Sequence, residues 1–162
     1  MRKLMTASVL ILLAWGCSRS SSPTDPGVPL IPVPADVRTA PATVMVDGAA
    51  LQLTTSLWRD FMPMAPPNGQ PLQAILRVTE LKGGKLPPGL DAQAAWVIVG
   101  NMAWFFVPAT SGTATETMLE FRGVDGPRWN PGTKADVVIE LRDRTGSSYR
   151  IQAKSQTIVR TD

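Results

Sequence analysis

The chain has 162 residues, with 16 basic and 13 acidic side chains, no histidine and a single cysteine, Cys17. Without histidine it cannot form a Ser-His-Asp or Cys-His catalytic pair, a histidine-ligated zinc site, or the usual copper site that mixes histidine with methionine. A single cysteine excludes an internal disulfide and a multi-cysteine metal site. The sequence also contains no Walker A loop and no Rossmann glycine fingerprint.

The first 17 residues have the pattern of an export signal. Arg2 and Lys3 form a short positive region, and residues 4–16 are an uncharged, mostly apolar run. This run is shorter than the ~20 residues that span a membrane, and it has the length of a signal-peptide core. It ends in LAWGC, which resembles the lipobox of bacterial lipoproteins, whose cysteine is acylated and becomes the first residue.

The lipobox resemblance implies that residues 1–16 are a signal peptide and that Cys17 carries palmitate-type acyl chains. Two or more acyl chains give stable membrane anchoring, whereas one chain binds only marginally. Ser18, and not aspartate, follows the cysteine, which among Gram-negative lipoproteins favours the outer membrane. The side of that membrane is left open. The alternative is ordinary cleavage after Gly16, without a lipid, followed by secretion.

The charge of the processed chain argues against a nucleic-acid partner. Loss of Arg2 and Lys3 from the 16 basic residues leaves 14 against 13 acidic residues. A nearly neutral protein lacks the basic footprint of a nucleic-acid-binding domain. We therefore expect contact with the membrane through the lipid on Cys17, and no binding to nucleic acid.

Residues 17–42 are predicted to be the lipidated cysteine followed by a Ser/Pro-rich tether. Residues 18–42 contain six of the 15 prolines. Proline fixes φ and removes a hydrogen-bond donor, so we expect an extended spacer that does not join a sheet. A ligand for a proline-recognising partner is the alternative. Residues 30–33 are apolar enough to dock on the domain that follows.

Residues 43–162 have the length of one domain with its own core. Several segments alternate apolar and polar residues with the period of two that a half-buried strand requires. No convincing amphipathic helix is present, since the nearest candidate, residues 91–95, is too short to be stable. The alternating segments are residues 51–58, 72–79, 135–142 and 148–154.

Turn signals separate these predicted strands. Gly100-Asn101 stands between two apolar runs and predicts a two-residue hairpin. Residues 143–146 predict a three- to five-residue hairpin loop. Residues 81–91 and 123–133 are rich in Gly, Pro, Asn and Asp and are predicted to be loops.

Seven or eight strands at regular spacing, with no helices between them, favour an all-β fold. The predicted architecture is an antiparallel, immunoglobulin-like β-sandwich, and a small β-barrel is the alternative. The disulfide of antibody domains is impossible with one cysteine, so this resemblance concerns architecture alone.

Aromatic and arginine side chains beside two loops are predicted to form a contact surface. Tryptophan and arginine are favoured anchors of protein interfaces. The alternative is that the tryptophans close the ends of the sandwich, because large aromatics dominate burial in small β domains. Trp96 and Trp104, inside apolar runs, are assigned to the core. The candidate contact residues are Trp58, Arg59, Phe61, Arg128 and Trp129.

Residues 56–71, SLWRDFMPMAPPNGQP, are predicted to join two strands by a long crossover. Four prolines forbid continuous pairing, and Asn68-Gly69 supplies a turn. The length exceeds that of a hairpin loop, which makes this segment the best single candidate for a contact surface. Met62 and Met64 could bind Cu(I) through their thioethers, but methionine is more often an apolar gap-filler.

No catalytic residue, metal site or cofactor is predicted. Glu116 and Glu120 fall on one face of a predicted strand, with Cα atoms about 13 Å apart, too far for a retaining glycosidase pair. Calcium needs several carboxylates, whereas the loops at Asp125 and Asp143 offer one each. Such residues more often cap their own turns.

Two functions are left open by the sequence. One is a non-enzymatic interaction or structural module of the cell envelope, which contacts an envelope protein, a glycan or a second copy of the domain. The other is an accessory protein that holds a small ligand, glycan or metal in the loops around Trp58 and Trp129. A cleft lined by tryptophans and carboxylates would favour the second, and an open strand edge or flat apolar patch the first.

Overall fold

The structure, a computed structural model, describes residues 27–111 and 114–162. Of the described residues, 57% lie in strands and 3% in a helix, which confirms the predicted all-β class. The helix is a single turn, and no helix in the described ranges is both long and apolar enough to cross a membrane. The elements are β1 (Leu30–Pro32), α1 (Ala35–Arg38), β2 (Thr43–Val46), β3 (Ala49–Asp60), β4 (Leu72–Glu80), β5 (Asp91–Val99), β6 (Met102–Phe106), β7 (Ala109–Thr110), β8 (Met118–Gly126), β9 (Lys134–Arg142) and β10 (Ser148–Thr161).

The long strands follow the alternation of the sequence. Each of the four alternating segments lies within a strand, namely β3, β4, β9 and β10. The hairpin prediction at Gly100-Asn101 is also confirmed, since Val99 of β5 lies opposite Met102 of β6. Gly100 has a φ of +62°, as the first central residue of a type II′ turn requires. Residues 91–95, the nearest helix candidate, begin β5 instead.

The strands form one continuous, mixed sheet that curls into a half-barrel. The strand order is β1-β6-β5-β9-β10-β3-β4-β8-β7, and β2 pairs with β3 beside this path. The prediction of a purely antiparallel arrangement is wrong at one pair, because β10 runs parallel to β3. The three shortest strands of the described residues, β1, β2 and β7, are those that the sequence does not predict.

A bulge in β10 explains how this strand pairs with both β9 and β3. The register with β9 shifts between Ala153 and Gln156, and Ser155 there has a φ of +56°. A β-bulge bends its strand and increases the local twist. Beyond the bend, Ile158 and the residues that follow pair with β3. The half of the sheet that contains β1, β6, β5 and β9 can therefore face the half that contains β3, β4, β8 and β7 across one core.

Two glycines of β8 let the facing halves approach. A Cβ at Gly126 would lie 2.7 Å from the Trp104 ring, and a Cβ at Gly123 would collide with the Phe106 ring. Trp104 and Phe106 themselves stack, with ring centroids 4.3 Å apart. The loop predicted over residues 123–133 is therefore wrong for residues 123–126, where glycine allows an aromatic ring to pack on a strand.

Part of the predicted tether packs on the domain. Leu30–Pro32 pairs with β6, and Val37 and Ala40 are buried against a cluster that includes Trp96 of β5. The expectation that this segment does not join a sheet is therefore wrong for Leu30–Pro32. Pro32 is tolerated because β1 is a short strand at the edge of the sheet, where a missing N–H is not needed for a second ladder. Residues 1–26, which hold the predicted signal peptide and Cys17, lie outside the described residues.

Candidate functional site

The segment predicted to be a crossover is instead a long hairpin loop at one end of the half-barrel, because the strands that it joins, β3 and β4, are antiparallel neighbours. It spans residues 61–71, between the end of β3 and the start of β4. The Gln70 N–H donates to the Asp60 carbonyl at 2.7 Å, and the Phe61 N–H donates to the Thr161 carbonyl at 2.8 Å. These bonds tie the loop to the ends of β3 and β10. Met62 and Met64 are 50% and 95% exposed, so neither fills a gap in the core.

Arg59 is buried at the centre of this end, with 3% of its surface exposed. Its Nε donates to the Gln70 carbonyl at 2.9 Å, and its Nη2 donates to the Asn68 carbonyl. Its Nη1 donates to the carbonyls of Arg128 and Trp129 at 3.2 and 3.3 Å. Burial lowers the pKa of the guanidinium from its ordinary value. One side chain therefore joins the crossover to the loop that follows β8.

The Phe61 ring is in contact with two guanidinium groups. The Cζ atom of Arg59 is 5.0 Å from the ring centroid, and that of Arg160 is 4.1 Å from it. Arg160 is held in place by an ion pair with Asp162 at 2.6 Å. Cations attract the negative face of an aromatic ring, so these contacts fix the ring at the entrance of the crossover.

A cleft of about 780 Å³ opens beside Arg59 and Phe61. It lies between the N-terminal end of β1 on one side and the C-terminal end of β8 on the other. Three of the five predicted contact residues line this cleft, although they come from two segments far apart in the chain. The lining residues are Gly27, Val28, Leu30, Arg59, Phe61, Pro67, Asn68, Pro71, Asp125, Gly126, Pro127, Arg128 and Asn130.

The structure does not bring Trp58 and Trp129 into this cleft. Trp129 packs against the main core, and Trp58 lies half-buried on the outer face of β3, opposite Gln73 and Val159. The two tryptophans therefore do not form one platform. Trp96 and Trp104 are 7% and 2% exposed, as predicted for core residues.

The glutamates weighed as an acid pair form ion pairs of their own. Glu116 pairs with Lys85 at 2.7 Å, and Glu120 pairs with Arg77 at 2.7 Å. The Ser111 hydroxyl donates to Glu120 at 2.8 Å, and this bond, with the Arg77 guanidinium, lowers the pKa of Glu120. The two carboxylates therefore have separate partners.

Asp143 caps the turn between β9 and β10. Its Oδ1 accepts bonds from the Thr145 N–H, the Thr145 hydroxyl and the Ser147 N–H at 2.6–2.9 Å, and its Oδ2 accepts one from the Tyr149 hydroxyl at 3.0 Å. These bonds, that of Thr145 first, lower the pKa of Asp143. Within residues 27–111 and 114–162, no group of three or more His, Cys, Asp or Glu side chains could hold a metal ion.

The sequence missed the wall of the cleft that β1 supplies. Val28 and Leu30 pack against the core beside it, in a segment predicted to be a tether. The apolar character of residues 30–33 was the signal that could have found it. A second cleft of about 380 Å³, between the residue 85–90 loop and the start of β8, was also not predicted.

No protein-family model, curated protein or solved structure matches this chain. A function therefore has to be inferred from the N-terminal sequence and from the chemistry of the cleft.

Proposed function

We propose that this chain is a bacterial lipoprotein of the cell envelope, cleaved before Cys17 and anchored by acyl chains on that residue. The support is the order of a positive pair, a 13-residue apolar run at residues 4–16, and a small residue before the only cysteine. Ser18, by the same resemblance, supports sorting to the outer membrane.

The β domain serves as a non-enzymatic binding module that the lipid holds at the membrane. The observation that carries this proposal is the convergence of Arg59, Phe61 and Arg128 on one cleft of about 780 Å³. This volume is within the range of sites that take small molecules or short segments of a partner. The ion pairs of Glu116 and Glu120 and the turn contacts of Asp143 support structural roles for these carboxylates.

The partner in the envelope is a protein or a glycan, and the cleft is its contact surface. Arginine and aromatic side chains are the usual anchors of such contacts. The alternative function, small-ligand binding, is favoured by the volume of the same cleft, although arginine and phenylalanine line it in place of the predicted tryptophans. A glycan platform made by Trp58 and Trp129 has no support from their separate positions.

We propose an immunoglobulin-like sandwich as the architecture to which this fold corresponds. Support comes from the main core, to which both halves of the sheet contribute residues such as Val97 and Leu76. The switch of β10 from one half to the other resembles the corners by which strands change sheets in packed β structures.

The anchor is tested by metabolic labelling with an alkyne analogue of palmitate in a bacterial host. We expect label on the wild-type chain and none on the Cys17→Ser variant, which should also leave the membrane fraction. A Ser22→Ala variant is the control and should remain labelled. A labelled Cys17→Ser chain, or an unlabelled wild type, would contradict the anchor.

The binding role is tested by crosslinking the intact lipoprotein in its own membrane and recovering what it contacts. We expect a crosslinked species with the wild type that is lost when Arg128→Glu reverses the charge at the cleft. Arg144→Glu, at an exposed turn at the other end of β10, is the matched control and should keep it. Recovery of no species, or equal recovery with both variants, would count against the cleft as a contact surface.

A further inference from the structure

Residues 61–67, FMPMAPP, form an uncharged apolar run in the loop between β3 and β4. None of the seven residues is buried, and Met62 and Met64 are 50% and 95% exposed. Single exposed apolar residues are ordinary on a protein surface, whereas a continuous exposed run marks a surface that contacts something other than water. The run therefore indicates a contact surface.

The backbone of this run is suited to a medium that offers few hydrogen bonds. Three of the seven residues are prolines, which have no N–H, so four N–H groups remain. Three of these, on Phe61, Met62 and Ala65, donate to oxygen atoms of the described structure at 2.7–2.9 Å. An unpaired backbone donor is costly in an apolar medium. A loop with most of its donors paired can therefore approach a lipid surface at low cost.

The run lies at the end of the domain from which the chain leads toward Cys17. Gly27, the first described residue, lines the cleft together with Phe61 and Pro67. Ten residue steps (27 − 17) separate Gly27 from Cys17, so their Cα atoms are at most about 35 Å apart. The twelve residues of β3 span roughly 36 Å, which is the whole of this reach. The end of the domain that carries residues 61–67 is therefore the end nearest to an anchor on Cys17.

The opposite end of β3 has exposed apolar side chains of a different kind. Met45 and Leu81 are 60% and 51% exposed, and both lie beside Ala50 at the start of β3. Leu81 stands between Glu80 and Lys82, whose charges oppose removal from water. These two residues match Met62 and Met64 in exposure and serve as their controls.

We propose that residues 61–67 rest on the lipid surface and seat the domain on the membrane that holds its anchor. The proposal rests on the acyl anchor at Cys17 proposed above. Met62 and Met64 enter the boundary between headgroups and acyl chains, where burial of apolar surface gains roughly 25 cal/mol per Å². A contact of this size is weak alone. The anchor makes it intramolecular, and the high effective concentration then allows a weak second contact to form.

Oxidation of the methionines by chloramine-T, an anionic oxidant that stays in water, measures this contact. The acylated chain is inserted into preformed vesicles of phosphatidylethanolamine and phosphatidylglycerol, and residues 17–162 with Cys17→Ser in solution are the reference. We expect sulfoxide formation at Met62 and Met64, followed by mass spectrometry, to slow about fivefold or more on the vesicles. Met45 should react at the same rate in both states. Equal rates at Met64, or equal protection of Met45, would overturn the proposal.

A substitution within the run shows whether the run itself makes the contact. Met62→Glu places a charge there, so Met64 should react on vesicles as fast as it does in solution. Leu81→Glu changes a residue of nearly the same exposure at the other end and should leave Met64 protected. Protection of Met64 that survives Met62→Glu, or that is lost equally in both variants, would overturn the assignment to this loop.

A chemical anchor separates failure of this contact from failure of the acyl anchor. Coupling of Cys17 in residues 17–162 to a maleimide phospholipid holds the chain on vesicles without acylation by a cell. Protection of Met64 in this chain supports the lipid contact even if metabolic labelling of Cys17 fails. Absence of protection overturns the lipid contact and leaves the acyl anchor standing.

Native membranes distinguish lipid from a protein that covers the loop. Protection of Met64 to the same extent in native membranes and in vesicles of pure lipid supports the proposal. Protection in native membranes alone would identify a protein on residues 61–67, and the lipid contact would be wrong.

Discussion

At the scale of the residue, Arg59 occupies a strand position that faces the core, although its side chain is charged. Leu57 and Arg59 have the same parity on β3, so the alternation places both on the inner face. An arginine is nevertheless expected at the surface, because its charge is costly to bury. The sequence therefore marked Arg59 as a contact residue. The structure shows that backbone carbonyls of two loops surround it, which no local pattern could indicate.

Replacing Arg59 by lysine should destabilise the domain. One ammonium group cannot reach carbonyls on both loops, whereas the guanidinium donates four bonds in fixed directions. We expect the free energy of unfolding to fall by about 2–4 kcal/mol, since buried carbonyls would lose charged donors. Urea unfolding followed by tryptophan fluorescence measures this loss. Arg144→Lys is the control and should change stability by less than about 0.5 kcal/mol. A loss in Arg59→Lys as small as that of the control would show that these bonds do not hold the loops.

At the scale of the element, the continuous apolar run of β5 corresponds to a strand that is buried on both faces. Ala95 and Val97 face the main core, while Trp96 and Ile98 face a second cluster that covers the other side of the sheet. A strand buried on both faces loses its alternation, and the sequence predicted the strand without predicting its cover. The cover is the segment with Val37 and Ala40, whose prolines indicated an extended tether.

Polar contacts also hold this covering segment, which contains α1, against the sheet. Arg150 of β10 pairs with Glu140 at 2.6 Å and also with Asp36 of α1. Its Cζ atom lies 5.7 Å from the Trp96 ring centroid. Contacts between residues more than 100 positions apart, such as Arg150 and Asp36, cannot be deduced from a local pattern, so the sequence did not predict that this segment packs on the sheet.

The turn between β9 and β10 should make stability depend on acid pH. The bonds to Asp143 lower its folded pKa below the ordinary value of 3.8. A carboxyl group with a lowered folded pKa stabilises the fold above its unfolded pKa, and this stabilisation is lost as the pH falls through the folded pKa. Asp143→Asn should therefore be less stable than the wild type at pH 7. The difference should shrink below pH 4, as the wild-type carboxylate becomes protonated.

Urea unfolding of both chains between pH 2.5 and pH 7 measures this convergence. Asp36, Glu120 and Asp162 also have lowered pKa values, so the wild type alone would mix several contributions. The difference between wild type and variant isolates Asp143. Asp47→Asn, in the exposed turn between β2 and β3, is the control. A stability difference that stays constant across this range would contradict the role of the charge.

At the scale of the molecule, the fold class was predictable and the curling of the sheet into a half-barrel was not. Strand alternation and turn residues are local, and they predicted the long strands and the Gly100-Asn101 hairpin. The parallel contact of β10 with β3 depends on a bulge at Ser155, a residue whose type does not favour a positive φ. Of the cleft, the residues of the crossover and Arg128 could be proposed. These residues come together only because the sheet curls, so their convergence could not be predicted without the structure.

The curled shape of the sheet also depends on close packing of Trp104 of β6 against β8. This packing can be tested by substitution of Gly126. A methyl group there would lie 2.7 Å from the Trp104 ring, which is fully packed in the core. Gly126→Ala should lower the free energy of unfolding by about 1–3 kcal/mol, the usual cost of overpacking. The near-ultraviolet circular dichroism should also change, because the Trp104 ring has to move away from the added methyl group.

Gly84→Ala is the matched control for this substitution. Its added methyl group would meet only the carboxylate end of the flexible Glu80 side chain at 3.1 Å, so we expect a change of less than about 0.5 kcal/mol. Combining Gly126→Ala with Trp104→Phe should recover part of the loss, because the smaller ring leaves room for the methyl group and the two changes are in contact. If the double variant shows only the sum of the two single losses, the aromatic ring and the glycine do not clamp the halves of the sheet together.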